Sequence, residues 1–435
     1  MKLARPRRAL VVAAALALAL IAVAGPSVAS ASSASVPSPP KTDADNANAA
    51  SPYGWFEAGL AWRGQFADPD IVRYHGTYYA YSSDVDGRYL GVMTSTDLVH
   101  WVARPHYSTH AAPWAGGPNP RTDSSIPTEI RRVSEMSAGD MWNLNDALVA
   151  PAQWGVHDVV NAWLHRSYWA VGVVQIGNTW YSYAPVEYST KLADGTTDPD
   201  GFGRYCLTVA SAPSPLGPFR DITGSKPLYC DADPAGSIDP APFVDPHTGQ
   251  TWLTWRATGK RGGPGVVGYP SSLKSARLDA HGHITGPVYT LLTTNEGSWE
   301  GDVIENPSMI RWRGRWYLFY SANSFEADSS GHSPYATGYA ICASPAGPCH
   351  RPSASPLMAS SATQQGPGGA SAFLDASGNL RLAYAYYWPG ENRPNTAIPH
   401  PRRMAIASVV WHGDGSLSVP PLGAPVWSRF VSPFG

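Results

Sequence analysis

Charge is scarce in this 435-residue chain. Only 15% of its residues are Asp, Glu, Lys or Arg, and 31 basic against 33 acidic side chains leave a formal net charge of -2. So neutral a chain has no electrostatic footprint for nucleic acid or an anionic surface, and a neutral partner is expected. Extended helical periodicity is missing, whereas 41 Pro and 42 Gly supply many turns between short segments. No apolar run reaches the length of a membrane span: the longest, residues 9–24, follows Lys2, Arg5, Arg7 and Arg8 and precedes a small-residue Ala29-Ser30-Ala31 site. Residues 1–31 therefore read as a secretory signal peptide, and a secreted protein with no membrane attachment after cleavage is expected.

Residues 32–52 are rich in Ser, Ala, Pro, Asp and Asn without periodicity and read as a disordered linker, because they cannot bury enough apolar surface to offset the entropy of ordering. Residues 53–435 then form one domain. Cysteine is also sparse. Cys206, Cys230, Cys342 and Cys349 fall into two local pairs, and in an oxidising compartment the expected bridges are Cys206–Cys230 and Cys342–Cys349. The two-residue spacing of zinc sites is absent from both pairs.

What the chain does have is a repeat. FADPDIVRYHGTYYAYSS (66–83) places an acid ahead of a strand, a Gly turn and an aromatic strand, and this outline returns at 169–184, 239–256, 305–322 and 369–387. Each unit has a second half, as in GVMTSTDLVHWV (91–102) or MAIASVVWHGDGSLSV (404–419), which adds two strands. The turn glycines Gly76, Gly177, Gly249, Gly314 and Gly378 lie 101, 72, 65 and 64 residues apart by subtraction. Five four-stranded units predict an all-β, five-bladed β-propeller with four antiparallel strands per blade. A β-sandwich would not return the same two-part pattern five times. The first gap holds an insertion over roughly 103–162, of the kind that often carries function.

In a propeller the first strand of every blade lines the axis, so the openers of the repeats converge. Counted back from the turn glycines, these are Asp68, Trp169, Asp239, Glu305 and Gly369. A single Asp before Pro is often only a turn former. Three acids at matching positions are another matter, since like charges brought together raise one another's pKa. Two carboxylates held at different pKa values are what glycoside hydrolysis requires, and a third can hold up the donor's pKa. Asp70, two residues along the same strand, and Glu300 are the neighbouring alternatives for base and acid. The chain's 17 Trp and 22 Tyr also supply candidate platforms for sugar rings, although most will be packing residues.

FADPDIVRYHGTYYAYSS, STDLVHW (95–101), IDPAPFVDPHTGQTWLTW and IENPSMIRWRGRWYLFYSAN resemble the recurring motifs of glycoside hydrolase family 43, a five-bladed propeller family of inverting arabinanases, α-L-arabinofuranosidases and β-xylosidases. The resemblance implies Asp68 as general base, Asp239 as pKa-modulating and orienting acid, and Glu305 as general acid. It also points to Arg403, or its neighbour Arg402, as an arginine reaching the site from the last blade, with Trp169 and Phe66 as sugar platforms. The implied substrate is a neutral arabinose- or xylose-containing plant polysaccharide or oligosaccharide. Two positions depart from the family pattern: Gly172 where a WAPDV motif would place Asp, and Gly369 where a Gly-Pro-Gly-His segment would place His. Without that His and with no identifiable set of six oxygen ligands, no cofactor is expected to be required, and no central calcium can be assigned. A retaining fructan or sucrose hydrolase is the neighbouring alternative, against which the Asn usually preceding its nucleophile is absent from FADPD. The other alternative is a non-catalytic sugar-binding propeller.

Overall fold

The computed structural model describes residues 60–62, 66–83, 89–99, 101–103, 147–148, 152–156, 168–196, 203–259, 269–326, 328, 331–387, 389, 402–420 and 422. The expected signal peptide, the linker and most of the 103–162 insertion lie outside the described residues.

Strand β1 (Leu60–Trp62) precedes the first blade, which consists of β2 (Asp70–Tyr74), β3 (Thr77–Ser82), β4 (Gly91–Ser95) and β5 (Val102–Ala103). The second contains β6 (Gly172–Ile176), β7 (Thr179–Ser189), β8 (Arg204–Ala212) and β9 (Arg220–Asp221); the third β10 (Ser237–Val244), β11 (Thr251–Ala257), β12 (Ser272–Leu278) and β13 (Ile284–Thr293). The fourth contains β14 (Ile304–Trp312), β15 (Arg315–Ala322), β16 (Ala336–Cys342) and β17 (Cys349–His350). The fifth contains β18 (Gln365–Leu374), β19 (Leu380–Tyr387) and β20 (Arg403–Ser408). All pairings within the blades are antiparallel. The inner strands touch in cyclic order, β2 to β6 to β10 to β14 to β18 and back to β2. The molecule is thus the five-bladed, four-stranded propeller that the repeat predicts.

One detail differs from the repeat as read. The end of the fifth repeat does not supply that blade's outer strand: β21 (Val410–Trp411) and β22 (Leu417–Ser418) form a separate hairpin, and the outer position is taken by β1 pairing with β20. Strand β1, which comes before the first blade in sequence, therefore closes the ring.

The core consists of five apolar clusters, one between each pair of neighbouring blades. Val174, Val209, Leu253 and Ala276 meet between blades two and three. Leu273, Leu292, Met309 and Leu318 meet between three and four. Tyrosine recurs at these seams for a reason that phenylalanine could not satisfy: its ring fills the seam while its hydroxyl bonds to backbone across it. Tyr81 donates to the Pro215 carbonyl (2.6 Å), Tyr183 to that of Gly282 (2.9 Å), and Tyr78 accepts from the Ala376 N–H (2.8 Å).

At the axis the blades are laced together by two sets of bonds. In one, a residue of the inner strand holds an amide of the next blade: Asp70 Oδ2 accepts from Val173 N–H (2.8 Å), Ser308 Oγ from Ala372 (2.9 Å) and Ser371 Oγ from Ile71 (3.4 Å). In the other, Ser83 Oγ accepts from Ala170 N–H (2.7 Å) and Ser321 Oγ from Gly369 N–H (2.8 Å). These bonds fix where each inner strand begins. That position is where the acids stand.

Candidate active site

Three residues from every blade line an axial pocket: Asp68-Pro69-Asp70, Ala170-Val171-Gly172, Asp239-Pro240-Ala241, Asn306-Pro307-Ser308 and Gly369-Ala370-Ser371. The fivefold-equivalent openers are therefore Asp68, Ala170, Asp239, Asn306 and Gly369. Glu305 and Trp169 each stand one residue earlier, so equivalence with Asp68 and Asp239, as counted from the turn glycines, is corrected by one position. The backbone explains the slip. Asp68 (φ 49°), Asp239 (φ 56°), Asn306 (φ 48°) and Gly369 (φ 62°) are all left-handed, and the ladders of β10, β14 and β18 lose register at this level. A bulge there re-aims the side chains around it, and non-glycine residues held in this region carry strain that the surroundings must impose.

The two departures from the family pattern have a physical cause here. A Cβ on Gly369 would collide with Asp68 Oδ1, and one on Gly172 with the Pro240 carbonyl. Each glycine makes room for the neighbouring blade, and at Gly369 the positive φ adds a second reason.

Asp68 is gripped from both sides. Arg402 forks onto it, Nη1 to Oδ1 at 3.0 Å and Nη2 to Oδ2 at 2.9 Å, and the Ser83 hydroxyl donates to Oδ2 at 2.7 Å. Planar bidentate pairing of this kind is a property of arginine. Phe66 N–H donates to the Arg402 carbonyl (2.8 Å), which anchors the start of β20 beside the acid. Arg402, the alternative to Arg403, is thus the residue on the carboxylate. Arg403 is buried within β20, opposite Tyr386 in the ladder.

Glu305 is held by a different pair. Arg256 Nη1 lies 2.5 Å from Oε2, and the Tyr335 hydroxyl donates to Oε1 at 2.5 Å while accepting from Asn306 Nδ2 at 3.1 Å. Burial and the adjacent Glu305 push the Tyr335 phenol well above its usual range, so it stays a donor. Asp239 is buried between these groups, with Asn306 N–H donating to its Oδ2 at 3.0 Å. Burial first, and then the Glu305 carboxylate, drive Asp239 well above the ordinary carboxylate range, against the pull of Arg256. The three acids named from sequence thus meet at one mouth, in three distinct electrostatic settings.

The alternatives fall into structural places. Both Asp70 oxygens are engaged by the ring closure, Oδ2 by Val173 and Oδ1 by the Ser371 hydroxyl at 3.0 Å, and burial pushes its pKa up to about 6. Glu300 is fully buried; Arg351 grips it through Nε and Nη2, and Tyr320 donates to it at 2.7 Å. Trp169 is half-buried and stacks on Tyr205 with ring centroids 4.1 Å apart. Phe66 is a correction: its ring is completely buried among Ile71, Tyr78, Met93 and Trp101 and offers no face to a sugar. Both expected disulfides, Cys206–Cys230 and Cys342–Cys349, are formed. Among the described residues no group of three His, Cys, Asp or Glu side chains is arranged to hold a metal ion. Each Asp70 oxygen already accepts one protein donor.

Arg256 and Tyr335 were not singled out from sequence. Arg256 left a trace: it is a lone cation in the apolar strand TWLTWRA, at the ladder position where β15 has Ser321. Tyr335 left none, being one tyrosine among 22.

A propeller with three carboxylates at one end of its axis, two gripped by arginines and one buried and raised by that burial, has the apparatus of a glycoside hydrolase. The chain belongs to glycosyl hydrolases family 43, whose family pattern matches residues 128–417. That match begins after the first blade, so Asp68 lies outside it. The fold is shared with a thermostable family-43 glycoside hydrolase at 22% identity and a TM-score of 0.57, covering 83% of this chain and 95% of the other. An endo-1,4-beta-xylanase from Bacteroides thetaiotaomicron VPI-5482 (21%, TM-score 0.55, 85% and 97%) and an alpha-L-arabinofuranosidase from Lactobacillus brevis (17%, TM-score 0.57, 83% and 96%) also share it. No curated protein sequence matches the chain.

Proposed function

We propose that this glycoside hydrolase is secreted and cleaves arabinose- or xylose-containing plant cell-wall polysaccharides or their oligosaccharides with inversion at the anomeric carbon. Asp68, presented as an ion-paired carboxylate by Arg402, activates a water. Glu305 protonates the departing glycosidic oxygen. Asp239, pushed well above the ordinary carboxylate range by burial and by the Glu305 carboxylate, favours a proton at this end of the site, and Glu305 delivers one to the leaving group. The water's proton goes to Asp68, and one glycosidic C–O bond breaks as the C–O bond to water forms. The observation that carries this reading is the contrast between Asp68, forked by Arg402, and Asp239, raised by its surroundings. The relatives' substrates, xylan and arabinofuranosides, favour pentose-containing chains, and the two disulfides suit an oxidising compartment.

The deciding measurement is turnover on arabinofuranosyl, xylopyranosyl and galactosyl substrates, with the first-formed anomer read by NMR. Inverted product is expected. Glu305→Gln and Asp68→Asn should each lower kcat at least about a hundredfold with folding intact. Retained configuration, or unchanged turnover in either variant, would sink the assigned roles. For secretion, the mature protein recovered from culture medium should begin at residue 32; a protein kept inside the cell with its first residues intact would refute it.

A further inference from the structure

One large apolar side chain is exposed beside the carboxylates. Phe325, on the segment after β15, is 41% exposed, and the Arg402 guanidinium carbon lies over its ring, 5.3 Å from the centroid. Its ring also meets Tyr335 edge to face, with centroids 6.5 Å apart. Arg402 is the residue forked onto Asp68, and Tyr335 is the residue bonded to Glu305. The ring therefore rests on the supports of both the proposed base and the proposed acid. Two other exposed hydrophobics are placed differently: Val244 and Leu374 end their inner strands, at the hairpin side away from the acids.

The segment is built to hold the ring there. Asn323 takes a left-handed φ of 71°; its N–H donates to the carbonyls of Glu300 and Val303, and its Nδ2 to that of Trp299 at 3.1 Å. Its Oδ1 receives the Ser324 N–H at 2.9 Å, and the Ser333 hydroxyl donates to the Phe325 carbonyl at 3.1 Å. The backbone is thus tied on both sides of an apolar ring left open to solvent. A pinned, exposed aromatic loses little conformational entropy when a ligand covers it, and the C–H-lined face of a neutral sugar is the ligand chemistry that suits it.

We infer that Phe325 is the aromatic platform on which the sugar held between Asp68 and Glu305 stacks, the part that Phe66 cannot play. This rests on the hydrolase reading for its substrate but not for its test, which reads binding directly. Arabinotriose and xylotriose are titrated calorimetrically into Glu305→Gln protein carrying Phe325, Phe325→Ala or Phe325→Trp, and the Phe325 substitutions are repeated in active enzyme for KM and kcat. Loss of about tenfold in affinity and a matching rise in KM are expected for Phe325→Ala, with kcat within about threefold, an unshifted pH profile and recovery in Phe325→Trp. Unchanged affinity in Phe325→Ala would overturn the inference. So would a fall in kcat at constant KM, which would make the ring a prop for Arg402. Binding of neither trisaccharide by the Phe325-containing protein would overturn it as well. Binding without turnover in the active enzyme would refute the hydrolase reading while leaving the platform standing.

Discussion

The charge of Asp70 works against stability at neutral pH. Its pKa, about 6 in the folded protein against an ordinary 3.8, means that the native state binds a proton more tightly than the unfolded chain does. The stability attached to that proton is fully present below about pH 4 and is lost as pH rises through 6. At neutral pH the buried carboxylate costs about 3 kcal/mol. Asp70→Asn keeps an oxygen for the Val173 N–H and can donate to the Ser371 hydroxyl, so it should raise the melting temperature at pH 7.5 and change it little at pH 4. Turnover should stay within about fivefold of the parent; a hundredfold loss would assign the base role to Asp70 instead of Asp68. At this scale the sequence was informative where chemistry imposes a residue type and silent where geometry chooses between neighbours. Asp68, Asp239 and Glu305 were legible because three acids recurred near strand starts. Arg402 and Arg403 are adjacent, and only the backbone at the entrance to β20 decides which one meets Asp68. Phe66 and Phe325 are the same residue type, told apart by a core that closes over one and a pinned segment that presents the other.

Strands and turns were easier to read than their registers. Alternation and turn glycines located the hairpins of every blade, because period two and positive φ at the turn leave marks in composition. The bulges at the openings of β10, β14 and β18 left none, since Pro follows the bulged residue in β10 and β14 but Ala follows Gly369 in β18. That is why Glu305 was counted one place out. The second blade shows another feature. Its inner strand pairs Gly172 with Tyr183, yet β7 continues six residues further, to Ser189, and there pairs with the start of β8. Cys206–Cys230 ties this extension to the segment before β10, next to the Tyr205 that stacks on Trp169. Closing a loop with a sequence separation of 24 restricts the unfolded chain by about 3 kcal/mol. Cys206→Ser/Cys230→Ser protein should lose about that much in chemical denaturation and show a raised KM with kcat little changed. A KM equal to the parent's would mean that the extension does not shape the site.

For the whole molecule, five repeats were enough to name the architecture, because each unit has apolar surface on both sides that only a neighbouring unit can cover. The seams bear this out: each cluster draws its residues from two blades. What the repeats could not reveal is where the ring is sewn shut, since LAW at 60–62 carries no mark of belonging to the last blade. That arrangement sets a timetable. Strand β1 finds its partner only when β20 has been made, 341 residues after Trp62 by subtraction from Arg403. At about 5–20 residues per second that is roughly 20–70 s of synthesis during which β1 has no ladder to join. A growing chain of this protein thus carries β1 unpaired until its last blade exists, and anything that binds nascent strands has that interval in which to act.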